Sequence, residues 1–175
     1  SRSATVSVRP RIVMIGAGSV VFARTLMTDI LSVPELRGCE IALTDIDGER
    51  LDTAVRMVQA IATALGATPT ISASLDRRTV LRDADFVINA IQVGGHAATL
   101  LDFNIPKQFG VKQTIADTLG IGGIFRALRT IPVVLDICAD MRAVCPNALL
   151  LNYTNPMAML CLAAARTGGV NVVGL

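Results

Sequence analysis

Gly16, Ala17, Gly18 and Ser19 stand between an apolar run, Arg11 to Gly16, and a stretch of helical periodicity from Gly18 to Leu31. Glycines at a strand-to-helix turn permit a tight bend and let a pyrophosphate approach the helix N-terminus, where backbone N–H groups favour an anion. Gly16, Gly18, Ser19 and Val20 are therefore candidate contacts to a dinucleotide; a glycine-rich turn without a ligand is the alternative. The third glycine position of the G-x-G-x-x-G pattern holds Val21, which sets helix and strand slightly farther apart. Asp45 lies 27 residues after Gly18, at the end of a second apolar run. A carboxylate there accepts hydrogen bonds from the adenosine ribose hydroxyls and repels a 2′-phosphate, which favours NAD over NADP. Arg50 argues the other way and is itself a candidate cofactor contact. Asp47, before Gly48 and Glu49, reads as the cap of the next helix, leaving Asp45 free.

Further candidates come from the ends of later strands. Asn89, Ile91 and Gln92 close a fourth apolar run and are expected to line the nicotinamide-ribose side. His96, the only histidine, follows Gly94 and Gly95 at the same edge; a lone histidine is more often structural or solvent-facing than catalytic. Cys39, Cys138, Cys145 and Cys161 form no Cys-x-x-Cys pair and sit in apolar surroundings. They read as buried free thiols of a reducing compartment. No metal site can be assembled from these residues.

The elements that must position these groups alternate. Strands are predicted at Arg11 to Gly16, Glu40 to Thr44, Thr70 to Ser74, Asp85 to Gln92, Ala148 to Asn152 and Val170 to Leu175. Helices are predicted at Gly18 to Leu31, Gly48 to Leu65 with Gly66 as its stop, Arg77 to Arg82, Gly122 to about Val144, and Pro156 to Arg166. After Gly94 and Gly95 the pattern becomes less regular until Gly122. Pro132 should kink or interrupt its helix, and Pro156 should occupy a first turn. Strand and helix in alternation give a Rossmann-type, doubly wound parallel sheet with helices on both faces, like the NAD-binding domain of lactate and malate dehydrogenases.

Composition agrees with that class. The chain has 175 residues, 52% hydrophobic and only 17% charged, enough for one domain with a full core over 11–175 behind a flexible leader at 1–10. Sixteen basic and 14 acidic residues are scattered along the chain, without the basic stripe that a nucleic-acid partner would need. No apolar stretch suits a signal peptide or a membrane span, and a cytoplasmic location is expected. The final strand stops with nothing after its carboxyl edge, which reads as part of something longer.

Longer motifs carry a resemblance. Gln113 to Pro132 and Leu151 to Met157 closely resemble glycoside hydrolase family 4, and the likeness extends over Arg11 to Leu175, through residues 16–19, 43–47, 83–87 and 93–95. It implies hydrolysis of an α-glycoside, with galactosides nearest and glucosides or galacturonides as alternatives, using NAD and a divalent metal such as manganese in place of the usual carboxylate pair. In that chemistry the sugar C3 hydroxyl is oxidised, the acidified C2 proton is lost with the glycosidic oxygen, water adds, and the hydride returns. By the same resemblance Asn155 binds substrate, Asp117 lies near the sugar and Asn152 faces the cofactor. Metal ligands and the general acid and base are expected beyond Leu175, in a C-terminal metal and substrate domain, with a homo-oligomer at full length. Gln92-Val93 stands where phosphoglycosidases carry an arginine, which favours an unphosphorylated sugar.

Two other readings stand beside this one. A 2-hydroxy-acid dehydrogenase would share the glycines and the Asn-Pro element, but it needs arginines after the fourth strand to clamp a carboxylate, and Gly95 to Asn104 contains none. A nucleotide-binding module without chemistry of its own is the other. For Asn155 the bland alternative is a cap on the following helix.

Overall fold

The computed structural model describes residues 9–175; most of the leader, residues 1–8, lies outside the described residues. The chain divides into two compact units, Ser1–Ile88 and Asn89–Leu175. Six strands pair in the order β3-β2-β1-β4-β5-β6, the order of a doubly wound Rossmann sheet.

In the first unit β1 (Arg11–Ile15) is buried from Ile12 onward, without polar alternation, as a parallel strand covered on both faces should be. It pairs in parallel with β2 (Glu40–Thr44), Arg11 opposite Glu40 and Ile15 opposite Thr44; β2 pairs likewise with β3 (Thr70–Ala73). The connecting helix α1 (Val20–Ser32) buries Ala23, Met27 and Leu31 at three-to-four spacing. Helix α2 (Gly48–Leu65) buries Leu51, Ala54, Val58 and Ala62; the Asp47 carboxylate caps it by accepting from the Arg50 amide, and Gly66 at φ +61° ends it. A short α3 (Arg77–Leu81) is capped by Asp76. The Thr79 hydroxyl and the Arg78 amide hold the Asp76 carboxyl below its ordinary range. β4 (Phe86–Asn89) follows, buried from Val87 to Asn89.

The second unit contains α4 (Gly95–Gln108), α5 (Gly120–Val144), β5 (Leu149–Asn152), α6 (Met157–Ala163), a π-turn over Ala164–Gly168, and β6 (Asn171–Gly174). β5 and β6 are parallel. Helix α5 buries Ala127, Thr130, Val134, Ile137, Cys138 and Met141, one stripe along its length.

Five expectations are corrected. The segment after Gly95 is a full helix, α4. Pro132 lies inside α5 and, of the two expected effects, does not interrupt the helix. The carbonyl deprived of its usual donor is that of Leu128, on a side of the helix where that residue is 66% exposed and water can reach. β4 stops at Asn89, so Ile91 and Gln92 belong to the loop beyond. Pro156 is the cap residue of α6 rather than part of its first turn. Cys39, Cys138 and Cys145 are buried, whereas Cys161 is only half-buried. Burial pushes the thiols of Cys39, Cys138 and Cys161 up. Among the described residues no helix is long and apolar enough to cross a membrane.

Candidate functional site

In the first unit the turn after β1 is built from backbone. The Gly16 and Ala17 amides both donate to the Thr44 carbonyl, at 3.0 and 3.2 Å, and the Ser19 amide donates to the Gly16 carbonyl at 3.1 Å. Gly16 sits at φ +82°, a conformation that costs an L side chain energy and glycine nothing. Gly18 is required for a different reason: a Cβ there would stand 2.7 Å from both Arg50 Cβ and Asp45 Oδ2. Its amide donates to Asp45 Oδ2 at 2.7 Å, while Asp45 Oδ1 accepts from the Asp47 amide at 3.1 Å. The sequence therefore brings Asp45 against the glycine turn, and Asp45 braces that turn itself.

Helix α1 begins at Val20 with no side-chain cap from Ser19 and no acidic residue in its first turn. Arg50 is exposed, its Nε 3.8 Å from Asp47 Oδ2, a pair too open to hold it in place. These features fit a dinucleotide diphosphate: a backbone turn closed to side chains, an uncapped helix start, and a carboxylate at the end of β2.

In the second unit the polar strand ends behave differently from expectation. Asn89 and Asn152 are buried, at 0% and 1% exposure, and bond to each other, Asn89 Nδ2 donating to Asn152 Oδ1 at 2.9 Å. Asn152 Nδ2 donates to the Thr154 carbonyl at 3.0 Å and approaches Cys161 Sγ at 3.7 Å. The Asn152 side chain is thus bonded inside the protein at both its oxygen and its nitrogen, while Asn89 Oδ1 is buried without a hydrogen-bond partner. Ile91 is half-buried, and Gln92 is exposed with Nε2 donating to Thr99 Oγ1 at 3.3 Å. His96 is exposed in the first turn of α4.

Asn155 and Asp117, 38 residues apart, do come together: Asn155 Nδ2 donates to Asp117 Oδ2 at 3.5 Å, and Thr118 Oγ1 donates to Asp117 Oδ1 at 2.9 Å. Both side chains are half-buried. α6 has no side-chain cap, so Asn155 is not the cap of that helix.

Sequence reasoning missed the residues that hold these edges. Arg126 Nε donates to the Asn155 carbonyl at 3.1 Å. Arg129, one turn along α5, donates through Nε to the Val93 carbonyl at 3.1 Å and grips Asp102 with both terminal nitrogens, at 3.2 and 2.7 Å. Thr154 Oγ1 donates to the Ile91 carbonyl at 3.1 Å, and Gln113 bridges the Asp102 carbonyl and the Gly122 amide. The available signal was the three-residue spacing of Arg126 and Arg129, which places both on one side of a helix.

Comparison with known proteins fixes the family. Residues 11–175 match the family 4 glycosyl hydrolases. The chain belongs to that family. It is 49% identical over 166 residues to an α-galactosidase of Bacillus subtilis (strain 168), matching 94% of this chain and 38% of that enzyme. It is 45% identical to an α-galactosidase of Rhizobium meliloti (strain 1021), matching 94% of this chain and 34% of that enzyme. A 6-phospho-β-glucosidase from Thermotoga maritima, solved with manganese, NAD+ and glucose-6-phosphate, superposes with a TM-score of 0.83 at 27% identity, over 94% of this chain and 40% of that one. A lactate dehydrogenase from Eimeria maxima gives a TM-score of 0.66 at 18% identity, over 98% of this chain and 45% of that one. That likeness is one of fold, and the hydroxy-acid dehydrogenase reading gives way to the glycosidase family. This family 4 chain spans 34% to 38% of the length of the two α-galactosidases.

Proposed function

We propose that this chain is the NAD-binding part of an α-galactosidase, acting on an unphosphorylated α-glycoside. The observation that carries the reading is the Gly18–Asp45 contact, a carboxylate 2.7 Å from a turn amide with no space for a side chain between them. The chemistry that NAD would supply when bound is reversible acceptance of a hydride from a sugar carbon. Around it this chain's own residues bind and orient. Gly16, Gly18, Ser19 and Val20 offer backbone to the diphosphate, Asp45 accepts from the adenosine ribose hydroxyls, and Arg50 lies beside them. Ile91 and Gln92 carry the nicotinamide-side determinants. Asn89 and Asn152, being buried, act by supporting the strand ends. Asn155 and Asp117 present an amide and a carboxylate to sugar hydroxyls.

Among the described residues no group of three or more His, Cys, Asp or Glu side chains could hold a metal ion. The residues present do not fit manganese, and in this reading that ion belongs to a longer, cytoplasmic, homo-oligomeric protein.

Two measurements test the reading. Calorimetric titration should show NAD binding more tightly than NADP, and Asp45→Ala should lose roughly 1.5 to 3 kcal/mol of NAD affinity, the scale of hydrogen bonds to a charged group. Tighter binding of NADP, or an unchanged Asp45→Ala, would overturn the assignment of Asp45. The 175-residue chain supplied with NAD and manganese should not turn over an aryl α-galactoside, since its described residues offer no metal cage; steady turnover by a pure sample would refute this.

A further inference from the structure

The loop between β4 and α4 carries Ile91 and Gln92, and two of its carbonyls are held. Ile91 accepts from Thr154 Oγ1 and Val93 accepts from Arg129 Nε, each at 3.1 Å. Gln92 lies between the two tethers and is exposed. The Arg129 tether is itself fixed. Both terminal guanidinium nitrogens bond the two oxygens of Asp102, whose side chain is 2% exposed. Because the guanidinium is planar, that end-on grip also sets the direction of the Nε–H. Gly94, at φ +83°, completes the fit, since a Cβ there would stand 3.2 Å from both Cδ and Nε of Arg129.

We propose that Arg129 is a positioning residue: clamped by Asp102, it holds the Val93 carbonyl and thereby sets where the Gln92 segment meets the nicotinamide half of the cofactor. The inference rests on the dinucleotide reading above. Arg129 thus combines a fixed plane with a bond to this loop. A lysine offers one compact ammonium and cannot serve both Asp102 oxygens and the Val93 carbonyl in the same geometry.

The test compares the chain with two variants, Arg129→Lys and the double variant Asp102→Leu/Arg129→Met. The double variant replaces a buried ion pair with apolar side chains of similar shape, a change often tolerated by the fold. Amide hydrogen exchange of residues 92–94 should accelerate roughly tenfold in both variants while that of β5 stays as in the parent chain, the behaviour of a locally released segment. Titrations with NAD and with ADP-ribose should then separate. NAD should weaken roughly tenfold and ADP-ribose should stay within about twofold, because only the nicotinamide end has lost its alignment.

Unchanged exchange at 92–94 would overturn the proposal, as would equal weakening of NAD and ADP-ribose, which a merely structural role would give. If the parent chain binds neither nucleotide, the dinucleotide reading fails and the assignment of Arg129 to the nicotinamide half falls with it. The exchange rates then still show whether the tether exists, so the two failures are distinguishable.

Discussion

Arg129→Met is expected to cost about 4 kcal/mol of unfolding free energy, whereas Asp102→Leu/Arg129→Met is expected to lie within about 1 kcal/mol of the parent chain. The single variant leaves the Asp102 carboxylate in place with its side chain only 2% exposed and its two guanidinium bonds gone. An uncompensated buried charge costs several kcal/mol, while removing both partners removes the desolvation penalty together with the attraction. Asp102→Leu alone should fall between the two, because the Arg129 side chain is 25% exposed and water can solvate part of it. Urea unfolding monitored by circular dichroism measures all three, and an unchanged m-value keeps the comparison within one unfolding equilibrium. Equal losses in the single and double variants would show that Arg129 contributes through packing rather than through its charge.

That ion pair also shows where sequence reading reaches its limit. β2 and α2 were legible to the residue, because their signals are local: an apolar run, an aspartate before a three-to-four stripe, and a glycine after it. α4 was not, and the reason lies in which of its faces is buried. Its buried residues are Asp102 and Pro106, while Leu100, Leu101, Ile105 and Phe109, at its C-terminal edge, are exposed. The hydrophobic pattern that marks a helix is therefore inverted. A charged residue goes inside because its partner stands 27 positions away on α5, and no local window contains both. The same limit applies at the strand ends. Asn89 was read toward the cofactor from its place at a strand end and Asn152 from the family resemblance; that the two are buried and bonded to each other, 63 residues apart, no local window could show. Asp45 and Gly18, read as candidates for one site, lie together in the structure, since the strand–turn–helix order puts the end of β2 beside the turn after β1. That Asp45 braces the turn, accepting from the Gly18 and Asp47 amides, was visible only in the structure.

Asn155 should matter to chemistry far more than to stability. In the family-length enzyme Asn155→Ala is expected to lower turnover of an α-galactoside by about a hundredfold, the effect of a slightly misplaced reacting group. The NAD dissociation constant should remain within about twofold. The structure bears on the alternative, because α6 takes no side-chain cap and the Asn155 amide is aimed instead at Asp117 Oδ2, 3.5 Å away. One long, half-buried hydrogen bond is worth about 0.5 to 1 kcal/mol, so the melting temperature should move little. Meanwhile Arg126 continues to hold the backbone carbonyl of residue 155, whatever side chain that residue carries. The carboxyl-edge turn should thus survive the substitution and lose only the amide that donates to Asp117. Asn155→Asp sharpens the test: it keeps the size of the side chain but sets a second carboxylate where the amide stood, beside Asp117. Like charges at that separation disfavour one another, so turnover should fall at least as far as in Asn155→Ala. If turnover of both variants matches the parent enzyme while the melting temperature drops, Asn155 is part of the scaffold and the sugar is held elsewhere.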